Sequence, residues 1–242
     1  MAVTKKDREI ANRKRHNQEK QNRRNAPVLE RADAARPQRE KILIVCEGKN
    51  TEPSYFRQFH SSTTTIETVE IVGEGYNTLS LVERAEYLKN NKYPDYQVWC
   101  VFDADPKPDN PQQLVNFNNA IKKAESLGYY LAYSNQAFEY WLILHFEDHQ
   151  GGAMDRKLYY DKINKYLTSI NHKAYYDKDS KMINERIFNV LLGIDMKTGK
   201  TRQQIAIERA KKIYDRYNHT NPASEESSTT VYKLVNKLNN KE

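Results

Sequence analysis

Between residues 41 and 134 the chain alternates short apolar runs with segments whose apolar positions recur at helical spacing. KILIVC (41–46) is apolar throughout after its lysine, as expected of a central parallel strand buried on both faces. IETVEIV (66–72), QVWCVFD (97–103) and YYLAYS (129–134) have the β-branched and aromatic content of further strands. The intervening segments read as helices. The first is Pro-initiated at 53–60, the second carries Leu79, Val82 and Leu88, and the third carries Leu114, Phe117, Ile121 and Ala124 and is ended by Gly128. The order βαβαβαβ predicts an α/β fold with a mainly parallel, doubly wound sheet of about four strands, whose site lies at the strand carboxyl ends.

From Gln136 onward the pattern is helical: AFEYWLILHF, then 155–168, MINERIFNVLLGI, 202–217 and VYKLVNKL. Val231, Leu234, Val235 and Leu238 form an apolar stripe that should dock the last helix on the body. HQGGAMD, KTGK and NPASEESSTT read as loops, the last with Ser and Thr placed to cap that helix. Three regions are expected: an arm at 1–39, an α/β core at 40–150, and a helical C-terminal region, 151–242, packed on the core.

Charge changes the picture at the N-terminus. Residues 1–41 hold 13 Lys and Arg against 6 Asp and Glu, and the remaining chain holds 26 of each, so the whole net charge of +7 sits on the arm. Arg13, Lys14, Arg15, Arg23 and Arg24 are candidate phosphate contacts. A solvated, partly helical tail explains the same composition equally well. Cys46 and Cys100 fall within apolar strands, where burial is expected rather than a disulfide. The start lacks an apolar stretch of signal-peptide type and no run approaches the ~18 apolar residues of a spanning helix, so a cytoplasmic protein with no membrane contact is expected. There is no GxxxxGK[ST] motif, zinc-type Cys and His set or GxSxG, which argues against ATP hydrolysis by the chain itself.

Glu47 directly follows the first strand, Asp103 ends the third, and Asp105 lies two residues on. On neighbouring parallel strands these acids share one rim and suit a hard divalent cation and phosphodiester chemistry. Strand-end acids are also common for turn reasons alone.

KILIVCEGKNTEPSYF, VWCVFDAD and SNQAFEYWLILHFE, spanning 41–147, closely resemble the three motif blocks of the RloB-like family, and TTVYKLVNKL resembles its usual ending. That family belongs with Toprim-type proteins, so the resemblance implies a Toprim-like sheet. It also implies Mg²⁺, with Mn²⁺ as an alternative, on Asp103 and Asp105, and Glu47 as general acid or base that also faces the metal. A relative encoded beside an ATPase in phage-resistance loci is an abortive-infection protein. By resemblance the chain is thus expected to be a metal-dependent nuclease acting on RNA, with tRNA a candidate, or on DNA, under an AAA- or ABC-type ATPase partner. The competing expectation is a non-catalytic sensor or scaffold, and a monomer or a homo-oligomer fits either.

Glu139 opens an apolar helix among Phe138, Tyr140 and Trp141, and the resemblance at FEYWLILHF favours it as a further ligand or catalytic base. Lys49 could contact a phosphate or be solvated, and Glu52 reads mainly as a favourable charge at a helix start. His145 reads as a core histidine ahead of a proton carrier. The 17 tyrosines, Tyr159, Tyr160, Tyr175 and Tyr176 among them, read mostly as packing residues, and none is assigned a base contact.

Overall fold

A computed structural model describes residues 5–24, 40–60, 64–70, 78–107, 110–149 and 154–239. The chain divides into two units, Met1–Gln38 and Arg39–Glu242. The first contains α1 (Lys5–Arg24), whose described side chains are all exposed. Lys, Arg, Glu and Gln are good helix formers, and Arg15 and Glu19 pair at i,i+4 across 3.8 Å, so a helix forms with no apolar face to bury. The arm is thus more regular than its sequence suggests.

In the second unit β1 (Glu40–Cys46), α2 (Thr51–Phe56), β2 (Thr64–Glu70), α3 (Thr78–Asn91), β3 (Gln97–Asp103), α4 (Gln112–Ser126) and β4 (Tyr130–Ser134) alternate as the hydrophobic pattern predicts. The strands form one sheet in the order β2-β1-β3-β4, all parallel. Its two central strands are apolar on both faces because each face is covered. Leu43, Val45, Cys100 and Phe102 pack under α3 and α4, while Ile42, Ile44, Trp99 and Val101 face the other layer. That layer holds α2 together with α5 (Glu139–Leu144), α6 (Lys157–Ile170), α7 (Glu185–Leu192), α8 (Arg202–Tyr214) and α9 (Val231–Leu238). The architecture is the expected Toprim-like, doubly wound α/β sheet with a helical C-terminal extension. Both cysteines are thiols buried in the sheet. Among the described residues no helix is long and apolar enough to cross a membrane.

Two local readings are corrected. The first helix starts at Thr51, with Ser54 N–H donating to Asn50 O at 3.0 Å, because Pro53 sits in the first turn, where a missing N–H costs nothing. It ends at Phe56, not residue 60. The hydroxyl run before α9 caps it only in part: Thr230 makes no capping bond, while Thr229 Oγ1 accepts from Val231 N–H, the first amide of the helix, at 3.3 Å. The main role of Ser227 to Thr230, all buried, is along the open edge of β4, where Thr230 N–H donates to Tyr133 O at 2.8 Å and Tyr133 N–H donates to Thr230 Oγ1 at 2.8 Å. An uncovered β4 edge would leave backbone groups unpaired, and this segment closes it.

Thr230→Val keeps the shape but leaves the Tyr133 N–H without an acceptor. It is expected to lower the unfolding free energy in urea by about 1–3 kcal/mol, with Thr230→Ser losing clearly less. Equal losses for both variants would locate the effect in packing instead.

Candidate functional site

Because β1 and β3 are parallel, hydrogen-bonded neighbours, their carboxyl ends share a rim. Glu47 extends the ladder by one residue, its N–H donating to Val101 O at 2.9 Å. Asp103 directs its N–H at Glu47 Oε2 at 3.4 Å, and its Oδ2 accepts from Phe138 N–H at 3.0 Å, just before α5. Asp105 has φ +40, a left-handed turn that aspartate tolerates better than most residues. Its carboxylate pairs with Arg156 and lies 3.6 Å from Lys107 Nζ.

Two further acids come from the helices around the rim. Glu52, only 6% exposed, lies in the first turn of α2, and a Cβ placed on Gly48 would fall on its carboxyl group. Glycine at 48 is therefore what lets this side chain fold back over the loop. Glu139, 9% exposed, accepts at Oε1 from the Tyr176 hydroxyl at 2.9 Å, and Tyr176 is held in turn by Thr51 Oγ1 at 2.8 Å.

All five acids line one cavity of about 270 Å³ with Gln113, Arg156 and Lys181. An ordered water needs only about 10–15 Å³, so the space admits a hydrated ion and a phosphate-sized group together. The charges are poorly balanced. Burial, with the neighbouring acids adding to it, raises Glu47 and Glu52 each to about 7 and holds Asp103 well above the usual carboxylate range. Burial opposes the charge on Arg156, but Asp105, Glu139 and Asp103 outweigh it and hold its pKa up. Among the described residues no three His, Cys, Asp or Glu side chains stand close enough to enclose an ion by themselves. Asp105 is drawn to Arg156, Asp103 to the Phe138 amide and Glu139 to Tyr176. The donor set is nonetheless carboxylate oxygen throughout, which fits a hard cation that keeps water or substrate oxygens as its other ligands.

The structure thus brings Glu47, Asp103, Asp105 and Glu139 into one cavity, with the exposed Lys49 on its wall. Arg13, Lys14 and Arg15 lie exposed on α1, while the side chains of Arg23 and Arg24 are outside the described residues. His145 is a core residue, with Nδ1 3.0 Å from Trp141 O and burial holding its pKa down to about 3, so no proton-carrying role follows at neutral pH. Glu52 is not the solvated helix-start charge its position suggests. Arg156 and Tyr176 escape a reading of sequence because their partners lie 51 and 37 residues away.

A carboxyl whose folded pKa lies above its unfolded value stabilises the fold at low pH, and that contribution is lost as pH rises through the interval between them. For Glu47 and Glu52 the interval runs from about 4.5 to about 7, with Asp103 acting in the same direction; His145 and His149, both held down by burial, oppose them, costing stability as pH falls below 6.5. Three acids against two histidines set the sign. In chelator, the melting temperature should fall from pH 5 to pH 8, and Glu52→Gln should flatten that fall and gain several degrees at pH 8, at about 2–4 °C per kcal/mol. A melting temperature that climbs over this range would show the cavity's charges to be balanced.

Comparison with curated proteins gave no match, and comparison with solved structures gave none. The family model described as RloB-like protein matches residues 42–238, which takes in all of the sheet but the first two residues of β1, every acid of the cavity, Arg156 and Tyr176. This chain belongs to the RloB-like family.

Proposed function

We propose that the chain is a divalent-metal-dependent nuclease of an antiphage abortive-infection system, acting in the cytoplasm on RNA, tRNA included, or on DNA, under the control of an ATPase encoded beside it. The observation that carries this reading is the gathering of Glu47, Glu52, Asp103, Asp105 and Glu139 in one cavity at the sheet's carboxyl rim, with Arg156 as the cation bonded inside it. Five carboxyl groups gathered in one cavity cost the fold stability without an evident structural return. Binding a cation that brings phosphate oxygens with it gives the cluster a purpose.

Asp103 and Asp105 would hold Mg²⁺ or Mn²⁺, with Glu47 facing it from β1. When bound, such an ion neutralises charge building on the phosphate oxygens. Glu47 takes the proton of the attacking hydroxyl or water and returns one to the leaving oxygen. Tyr176 fixes the Glu139 carboxylate, so that Glu139 orients a nucleophile from the α5 side of the cavity. Arg156 anchors Asp105 and stands where a phosphate oxygen can reach its guanidinium. Control by an ATPase rests on the family and on the lack of a P-loop motif in the sequence.

The test is incubation of pooled tRNA, messenger RNA and plasmid with the chain, alone and with its ATPase and ATP, in Mg²⁺ or Mn²⁺. Cutting is expected to depend on metal and to drop more than about 100-fold in Asp103→Asn, since even outer partners of metal sites carry about 10–100-fold. Intact substrates from the ATPase-supplemented wild type would leave a binding scaffold. Incorporation of labelled nucleotide would assign nucleotidyl transfer.

A further inference from the structure

The acidic cavity does not end at its acids. Glu139, Arg156 and Lys181 also form one wall of an adjoining chamber of about 250 Å³, whose other walls come from α6 and the segment before α7. This chamber differs in chemistry from its neighbour. Lys157, Lys178 and Lys181 supply cations, with Asp161 and Glu139 as its carboxylates, and Tyr160 presents a half-buried ring. The Tyr160 ring is braced by Tyr176 at 6.0 Å and by its hydroxyl bond to the exposed Tyr175 at 2.8 Å. Tyr159, 1% exposed, also lines the chamber, and its buried hydroxyl finds no partner in the protein.

The lysine loop is held in place at some cost. Lys181 has φ +50, which a non-glycine residue keeps only where its surroundings dictate it. Here Lys181 N–H donates to Asp177 O at 2.9 Å, Thr51 Oγ1 lies 3.0 Å from Lys181 O, and Ile183 N–H donates to Ser54 Oγ at 2.8 Å. The helix that brings Glu52 to the acids therefore also fixes Lys181 between the two chambers.

We propose that this second chamber is a subsite for an unpaired nucleotide next to the reacting phosphate, so that the substrate is single-stranded where it is cut. Tyr160 is the stacking platform, and Lys178 and Lys181 take the adjoining phosphate. A duplex cannot lay one base on Tyr160 without unpairing it. The inference rests on the nuclease reading for its reacting phosphate, but it is tested by binding.

Short fluorescent oligonucleotides, as single-stranded RNA, single-stranded DNA and duplex, are titrated with the full chain carrying Glu47→Gln in Mg²⁺, so that bound strands stay intact. Single strands should bind more tightly than duplex. Tyr160→Ala should weaken single-strand binding roughly 5- to 100-fold, while Tyr160→Trp, which keeps a stacking face, should stay near the parent. Lys178→Ala, on an exposed loop, should reduce the salt dependence by about one phosphate contact, a slope change of about 0.7. Duplex preferred over single strand, no single-strand binding, or Tyr160→Ala binding like its parent would each overturn the subsite. Binding with these dependences by a chain whose wild type cuts nothing would instead remove the nuclease reading and leave the subsite standing.

Discussion

Burial of carboxylates side by side at one rim of the sheet is the constraint around which the rest of the site is arranged. Glu47 alone, raised from 4.5 to about 7, implies about 3 kcal/mol against its ionised form, at 1.36 kcal/mol per pKa unit. A whole domain is stable by only about 5–15 kcal/mol, so such a cluster survives because the surrounding packing fixes it. That packing is the sheet itself. β1 and β3 are buried on both faces, and their parallel register delivers Glu47 and Asp103 to the same edge whatever the acids would prefer.

The helical layer after β4 completes the cavity as well as covering the sheet. Phe138 places its amide on Asp103, Tyr176 places its hydroxyl on Glu139, and Arg156 reaches Asp105. Thr51 and Ser54 of α2 tie the same layer down through Tyr176, Lys181 and Ile183. The α/β core and the C-terminal helices thus share one site. The acids on the strands are set by backbone register, and the groups that orient them arrive from residues 138–183.

What could be read from sequence follows from the range of the interactions involved. Strand alternation and the position of an acid directly after an apolar run are local, so β1, β3, Glu47, Asp103 and Asp105 were legible together with the order of elements. Gly128 was legible as a helix stop because only its φ of +70 was needed. Glu52 was not, since its burial depends on a missing Cβ at Gly48 and on a helix that begins before its proline. Of the hydroxyls at 227–230 only Thr229 acts as the cap the sequence suggests; the other partner of this segment, the open edge of β4, exists only once the sheet is assembled. Tyr176 and Tyr160 looked alike as packing aromatics, and tertiary contacts alone separate them: one hydroxyl turns inward to Glu139, the other outward to Tyr175.

On the proposed reading, this division of sources also bears on how a polyanion can approach a negative cavity. The acids that would hold a cation lie at the carboxyl ends of β1 and β3, where the rigid sheet sets their spacing. The fixed positive charges lie beside them, on α6 and on the loop clamped to α2, so a strand can be held by its neighbouring phosphates while the ion offsets repulsion at the reacting one. Attraction placed directly among the acids would quench them, as Arg156 already does for Asp105. Displacing it by one nucleotide lets binding and chemistry draw on opposite charges within a single continuous cleft.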